Sequence, residues 1–156
     1  MYDVVEVAGA SEKAAICDGI LRNLPQWFGI EASIVDYVRQ SRGLPMFAAY
    51  DARVAVGFAA VKVHTPFAAE VCVMGVRAEM HRRGIGRLLL AACEGFCRAR
   101  HLEFLTVKTL DASHPDPGYA RTRAFYTALG FRPLEVFPTL WDPGNPCLLM
   151  AKYLGT

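Results

Sequence analysis

MGVRAEMHRRGIGRLLLAAC, residues Met74–Cys93, joins an apolar segment to a leucine-rich one through a basic turn that contains two glycines. The run Glu70–Arg77 is nearly continuously apolar, which is typical of a strand buried on both faces. From Gly84 to about Arg100 the apolar residues follow helical spacing. The stretch therefore predicts a central strand, a turn and an amphipathic helix packed on a sheet. The expected buried face of this helix consists of Ile85, Leu88, Leu89, Ala92 and Phe96, with Arg87, Glu94 and Arg98 elsewhere on the helical wheel.

The remainder of the chain predicts alternating strands and helices. Strands are expected at 2–8, 103–110, 131–137 and 147–153, helices at Ser11–Asn23, Glu31–Ser41 and Asp116–Leu129, and a hairpin over 44–66 that turns at 51–53. Ser11 and Asp116 are the expected N-caps, and a Pro- and Gly-rich loop containing Trp141 is expected between the last two strands. The unit from Glu70 to Leu110 predicts two parallel strands joined by the helix.

Composition limits the possible classes of protein. The 156 residues are 53% hydrophobic, which favours one domain over 1–156 with a substantial core. Seventeen Lys plus Arg against 15 Asp plus Glu give a net charge of only +2, so bulk charge predicts no nucleic-acid partner. No apolar run has bilayer length and no signal peptide is recognised, so a cytoplasmic protein without a membrane partner is expected. The spacing of the five cysteines predicts neither disulfides nor a metal site: Cys17, Cys72, Cys93, Cys97 and Cys147.

The position of the glycine turn suits an anion. At the start of a helix the first amide N–H groups are unpaired and the helix dipole is positive, and Arg82, Arg83 and Arg87 add charge. No Walker A lysine follows, and Leu89 stands where a dinucleotide-binding GxGxxG motif has its third glycine. The turn predicts a phosphate-bearing ligand other than ATP or NAD. The alternative is an ordinary loop with solvated arginines.

VRAEMHRRGIGRLLL resembles the acyl-CoA pyrophosphate loop of the GNAT superfamily of N-acyltransferases, Q/R-x-x-G-x-G/A. His81–Gly86 occupy those positions, with His81 where Gln or Arg is usual. A second stretch, ARTRAFYTALGFRPLE at Ala120–Glu135, is similar to the later family motif A-x-x-F-Y-x-x-x-G-F. The two motifs cover roughly the last three fifths of the chain, whereas the first 65 residues match only in the order of their elements.

The resemblance implies a fold, a co-substrate and a reaction. The fold is an α/β (α+β) GNAT-like one, with a mixed, mostly antiparallel sheet of about six to seven strands, one parallel βαβ unit and about four helices. The co-substrate is acetyl-CoA, with no metal, and the neutral amine of a small molecule or peptide attacks its thioester directly. The residues implied at the cofactor are Met74, Gly75, Val76, His81, Arg82, Arg83, Gly84, Ile85, Gly86 and Arg87.

Tyr126 and Glu70 are the candidate catalytic residues. Tyr126 lies in the second motif, and a phenol with a reference pKa near ~10 can donate a proton to the leaving thiolate. On the helical wheel it lies opposite most of an apolar arc, so a partly exposed packing tyrosine is the alternative. Glu70 is the candidate general base, by its spacing from His81, and the alternative is a solvated carboxylate at a strand end. The arc consists of Ala120, Ala124, Phe125, Ala128 and Leu129.

The acceptor side is less specific. Candidate substrate contacts are Trp27, Phe28, Tyr37, His64, Trp141 and Asp142, which equally suit packing or a dimer surface. His64 is also a weaker candidate base. Cys72 lacks a recognisable His partner, so a covalent acyl-cysteine route is rejected. The chain is expected to be a monomer or homodimer, and the alternative to an N-acetyltransferase is a non-catalytic acyl-CoA-binding or regulatory module.

Overall fold

The computed structural model describes residues 1–155, which contain seven strands and four α-helices. The strands are β1 (Asp3–Val7), β2 (Met46–Asp51), β3 (Val54–Val63), β4 (Ala68–Val76), β5 (Phe104–Leu110), β6 (Arg132–Asp142) and β7 (Asn145–Tyr153). The helices are α1 (Ala10–Arg22), α2 (Glu31–Ser41), α3 (Ile85–Ala99) and α4 (Pro117–Ala128), and a short 3-10 turn spans Ala78–Met80.

The strands form one sheet in the order β1-β2-β3-β4-β5-β7-β6. The pair β4–β5 is parallel, and β1–β2, β2–β3, β5–β7 and β6–β7 are antiparallel. The parallel register joins Ala68–Glu70 to Phe104–Thr106. The predicted mixed sheet, its central strand and its parallel strand–helix–strand unit are therefore confirmed.

Neither α1 nor α2 begins with a side-chain cap. α2 has the predicted bounds, Glu31–Ser41. α1 begins one residue before Ser11, because Gly9 has extended geometry (φ −82°, ψ 134°) and its carbonyl accepts from the amide of Lys13 at 3.0 Å. The expected cap at Ser11 is wrong, since an N-cap must lie outside the helix and Ser11 is already inside it.

The cap of α4 is confirmed. Asp116 Oδ1 accepts hydrogen bonds from the amides of Gly118 at 2.7 Å and Tyr119 at 3.3 Å. The helix ends at Ala128, and Gly130 follows with φ 99°, a left-handed conformation that suits glycine. A capped start and a glycine stop fix the length of α4.

The expected loop around Trp141 is wrong, because β6 continues through it to Asp142. The hairpin closes in two residues, Pro143 and Gly144, and Asp142 Oδ1 accepts from the Gly144 amide at 2.8 Å. β6 tolerates Pro138 because it is the edge strand, and its register with β7 is irregular between Phe137 and Asp142.

The buried face of α3 differs from the predicted one. Leu88 is exposed and Glu94 is buried. The fully or nearly fully buried apolar residues of α3 are Ile85, Leu89, Leu90, Cys93, Phe96 and Cys97. The buried arc is therefore rotated towards the two cysteines, which sequence patterning undervalues although free cysteine behaves as a small apolar residue.

The residues group into two units: the first comprises 1–62 and 71–96, and the second comprises 63–70 and Cys97 onward. The core of the first unit is formed by α1, β2, β3 and β4, including Cys17, Ile20, Leu21, Met46, Phe58 and Val73. The second unit buries Leu105, Val107, Phe131 and Met150. None of the helices within residues 1–155 combines the length and the apolar character that crossing a membrane requires.

In the first unit, α1 and α3 pack on opposite faces of the sheet at two glycines. A Cβ on Gly75 would lie 3.1 Å from Ile20 and from Leu24 of α1. A Cβ on Gly57 would lie 3.0 Å from Ile85 Cγ2 and 3.1 Å from Leu89 Cδ1 of α3. The middle of the sheet is therefore covered on both faces, which is why β4 is almost wholly apolar.

Gly57→Ala is expected to destabilise the fold by about 1–3 kcal/mol, because the added methyl overpacks the contact with α3. Gly95→Ala in α3 is the matched control: no heavy atom lies within 4 Å of its added Cβ. This control is expected to stabilise the fold by roughly 0.5–1 kcal/mol through helix propensity. Urea unfolding measures both changes, and equal stability of Gly57→Ala and wild type would contradict the tight contact.

Candidate active site

The glycine turn in the first unit is strained and exposed. After the 3-10 turn, Arg82 has φ 64° and Gly84 has φ 80°, and α3 begins at Ile85. The amide of Leu88 donates to the carbonyl of Gly84 at 3.2 Å, which is the first turn of the helix. The first amides of an α-helix have no acceptor within the helix, so the start of α3 can offer N–H donors to an anion. The exposed side chains around it are His81, Arg82, Arg83 and Arg87.

The His81 ring contacts the protein. Its Nε2 lies 2.7 Å from the carbonyl oxygen of Val76, at the end of β4, and its ring meets Trp27 edge-on with centroids 5.7 Å apart. Because a carbonyl oxygen only accepts, Nε2 carries the proton and donates. His81, expected at the cofactor, thus contacts Trp27, expected at the acceptor. The hydrogen bond of His81 also holds the turn against the end of β4.

The remaining cofactor candidates lie in β4 and α3. In β4 the residues alternate: Gly75 is buried, whereas Met74 and Val76 are half-buried. Gly86 is the second residue of α3, so the left-handed position belongs to Gly84. The glycine that the turn requires for its backbone is therefore Gly84.

Packing accounts for several of the aromatic and cysteine candidates in the first unit. Trp27, Phe28 and Tyr37 all pack against its core, and the rings of Phe28 and Tyr37 meet edge-on at 5.9 Å. Cys72 packs there too, with its Sγ donating to the carbonyl of Ala60 at 3.5 Å. Burial raises the pKa of Cys17 to about 12, so this thiol stays protonated.

Glu70 is the third residue of β4 and is buried, with 8% of its surface exposed. Its Oε1 lies 2.7 Å from Nε2 of His64 and accepts a hydrogen bond from Nζ of Lys108 at 3.3 Å. The side chains of His64 and Lys108 are 40% and 32% exposed. A buried carboxylate is costly unless it is paired, and these two partners supply the pairing.

Two strands and the residue that follows a third supply this cluster. His64 directly follows β3, Glu70 lies in β4, and Lys108 lies in β5 two residues beyond the Thr106 that pairs with Glu70. Cys147 of β7 is also close: burial is the main cause of its raised pKa, which Lys108 lowers and Glu70 raises. The cluster thus brings together the two candidate bases, Glu70 and His64.

Sequence reasoning does not find Lys108. The available signal is a single charge inside the apolar run EFLTVKTL, because a charge in a buried strand requires a partner. Which residue is that partner depends on the register of β4 and β5, and local sequence does not contain it.

Tyr126 lies on the buried face of α4 and is 8% exposed. Its ring packs against Phe131 and Phe125, each with a centroid distance of 5.5 Å. The expected apolar arc of α4 is wrong, because Ala120, Ala124 and Ala128 are exposed while Tyr126 and Gly118 are buried. The physical reason is that burying a tyrosine ring removes far more apolar surface from water than burying an alanine methyl.

The family comparison agrees with this geometry. The model of the "Acetyltransferase (GNAT) domain" matches residues 42–133, more than half of the chain. The chain belongs to the GNAT family of acetyltransferases. Its members take the acetyl group from acetyl-CoA, and the exposed, basic, amide-rich turn at the start of α3 fits the pyrophosphate of that co-substrate. No curated protein gives a significant match to the chain.

Solved structures show the same fold at low sequence identity. A GNAT-family acetyltransferase structure from Desulfovibrio desulfuricans has a TM-score of 0.86, 16% identity, and coverage of 99% of this chain and 100% of that one. An aminoglycoside 6'-N-acetyltransferase complexed with coenzyme A has a TM-score of 0.78 and 18% identity, with coverage of 99% of this chain and 98% of that one. The ribosomal-protein-S18-alanine N-acetyltransferase from Escherichia coli has a TM-score of 0.77 and 18% identity, with coverage of 100% of this chain and 96% of that one. Within residues 1–155 no group of three or more His, Cys, Asp or Glu could hold a metal ion.

Gly84→Val is expected to weaken acetyl-CoA binding more than Arg82→Ala. A valine at φ 80° is strained by about 1–2 kcal/mol, and the turn relieves this strain only by re-aiming its amides, which corresponds to roughly 5- to 30-fold in Kd. Isothermal titration calorimetry measures both affinities, with Gly43→Val, whose Cβ would meet nothing within 4 Å, as control. The reverse ranking would show that side-chain charge governs the turn.

Proposed function

We propose that this chain transfers the acetyl group of acetyl-CoA to a primary amine of a small molecule or peptide, by direct attack of the neutral amine on the thioester. The observation that carries the proposal is the Glu70 cluster: a buried carboxylate paired with an imidazole at 2.7 Å and an ammonium at 3.3 Å. Such a cluster suits proton removal from an ammonium, the step that must precede attack. We also propose that 1–156 acts as one acyltransferase domain.

The cofactor side of the proposal uses the glycine turn. Its amides and the residues at the end of β4 would hold acetyl-CoA, which supplies an activated acetyl group when bound. Gly84 lets the backbone approach the pyrophosphate closely, and Arg82, Arg83 and Arg87 add charge-assisted contacts. His81 acts indirectly, by holding the turn against the carbonyl of Val76.

The base side of the proposal uses Glu70 and His64 together. An alkylamine has a pKa near ~10 and is mostly protonated at neutral pH, so a group of the protein or a water must take one proton. The hydrogen bond between Glu70 and His64 makes the pair one proton-accepting assembly. Lys108 stabilises the negative charge of the carboxylate.

Tyr126 is the proposed acid for the departing thiolate. Its burial and its contacts with Phe131 and Phe125 hold the ring in one orientation. A phenol held in this way can donate its proton without a rearrangement of the helix.

The structure favours fewer residues as acceptor contacts than the sequence suggests. Trp27 and Phe28 have packing partners in the first unit, which favours a structural role for both. His64 and Trp141 keep exposed surface, 40% of the side chain and 45% of the residue, and we propose them as acceptor contacts. Two solved relatives are named for an aminoglycoside and for a ribosomal-protein alanine, and both of these acceptors carry amines. A cytoplasmic location and a monomeric or homodimeric state stay predictions.

Saturating acetyl-CoA is expected to raise Tm by several degrees, because a ligand at 100 times its Kd stabilises by about 2.7 kcal/mol. Added amines should then release free thiol, measured with a thiol reagent over a panel of an aminoglycoside, a polyamine, amino acids and a peptide with a free N-terminus. A thermal shift without thiol release on any amine would favour the non-catalytic binding module. No shift at all would reject acetyl-CoA binding.

Tyr126→Phe is expected to lower kcat by about 10²-fold or more and to leave the affinity for acetyl-CoA nearly unchanged, since the ring packing is kept and the hydroxyl that carries the acidic proton is removed. Steady-state kinetics and calorimetry separate the two effects. Tyr153→Phe, which removes a hydroxyl from an exposed tyrosine of β7, is the matched control. An unchanged kcat in Tyr126→Phe would exclude this residue as the acid.

A further inference from the structure

We propose that Nδ1 of His64 is the atom that takes the proton from the acceptor amine, and that Glu70 and Lys108 are positioning groups behind it. The inference rests on the proposed function and names the proton acceptor within it. The cluster is a chain in which Lys108 and His64 both reach the same carboxylate oxygen of Glu70. The solvent exposure and the hydrogen bonds of these three side chains decide which of them meets the amine.

His64 is held in place by its backbone. Its amide donates to the carbonyl of Ala68 at 3.0 Å, which closes the connection between β3 and β4. Within that connection Oγ1 of Thr65 accepts from the amides of Phe67 and Ala68, each at 3.1 Å. A turn with these bonds fixes the position of the His64 Cα, and the Glu70 contact fixes the ring.

The charge on Glu70 determines the tautomer of His64. The Lys108 ammonium, 3.3 Å from Oε1, stabilises the carboxylate, and an ionised carboxylate only accepts hydrogen bonds. Nε2 of His64, 2.7 Å from the same oxygen, is therefore the donor. In the neutral ring this leaves the lone pair on Nδ1, which makes Nδ1 the proton acceptor.

Glu70 itself is the poorer acceptor of the two. It is 8% exposed, and a proton on its carboxylate would weaken the attraction to both partners at once. The His64 side chain is 40% exposed, and a proton on Nδ1 produces an imidazolium that the carboxylate stabilises. Cys147, the other titratable neighbour, has a pKa raised by burial, so it stays a neutral thiol and adds no charge.

The proton balance is complete. The ammonium of the acceptor gives one proton to Nδ1 of His64, which then passes it to water across its exposed edge. When the new C–N bond forms and the C–S bond breaks, the amine nitrogen loses a second proton to water and the departing thiolate gains one from Tyr126. The Tyr126 phenolate then regains a proton from water. The reaction therefore yields an amide, free thiol and one proton released to solvent.

The test measures kcat/KM over about pH 5–8, the range in which imidazole titrates. His64→Gln keeps a donor for Glu70 but has no lone-pair nitrogen, so kcat/KM should fall by about 10²–10⁴-fold with acetyl-CoA affinity unchanged. In His64→Ala, added imidazole should restore part of the rate, most strongly where imidazole is neutral. Glu70→Gln should fall less and keep a pH-dependent rate, because His64 remains.

The matched control is His101→Asn, which removes an exposed histidine at φ 59°, a conformation that asparagine tolerates. Its pH profile should equal that of wild type. If His64→Gln matches wild type while Glu70→Gln is inactive, Glu70 is the acceptor and the inference is overturned. If wild type releases no thiol with any amine, the proposed function fails first.

A second readout needs no turnover. Nitrogen-15 NMR of the neutral His64 ring at about pH 8 should show a proton on Nε2 and a free lone pair on Nδ1. Glu70→Ala should remove that preference, because the tautomer is set by the carboxylate. A proton on Nδ1 in the wild-type protein would overturn the inference.

Discussion

The close contact of two helices with opposite faces of the sheet is the constraint on which the first unit depends. A Cβ on Gly75 or Gly57 would lie only 3.0–3.1 Å from side chains of α1 and α3, which is unusually tight. This contact favours apolar residues in β4 where it lies between the helices, and the one charged residue of the strand, Glu70, lies near its start. Glu70 lies near one end of β4, and the glycine turn follows the other. A single strand therefore carries the carboxylate that positions His64 and leads into the candidate cofactor turn.

The polar end of β4 has an energetic consequence. A carboxylate with 8% exposure would be strongly destabilising alone, and the fold provides one ammonium and one imidazole at the same oxygen. When the His64 ring is neutral, the positive charge of Lys108 balances the negative charge of Glu70. The cluster then carries no net charge. Such a cluster keeps its geometry when one outer member gains a proton, because the carboxylate then pairs with two cations.

Local patterns predict elements better than they predict orientations. The bounds of α2 and the caps of α4 follow from residue types within a few positions, and both are confirmed. The buried face of α4 does not, because alanines count as apolar in a wheel while the surface they bury is small beside that of Tyr126. The Glu70 cluster joins two strands and the residue that follows a third, so it depends on register, and no window of sequence contains it. For the same reason the pairing of Lys108 with Glu70 cannot be predicted from local sequence.

His81 shows how the structure changes the meaning of a departure from the family pattern. Gln or Arg is usual at this position, and the sequence predicts that a histidine there matters little if backbone amides of the turn carry most of the phosphate contact. Its Nε2 instead donates to the carbonyl at the end of β4, and its ring packs on Trp27. The side chain thereby fixes the entry of the turn, and in the proposed function phosphate recognition belongs to the amides near Gly84 and to the exposed arginines. A turn held from within needs fewer side-chain contacts to its ligand, because its donors are already aimed before the ligand arrives.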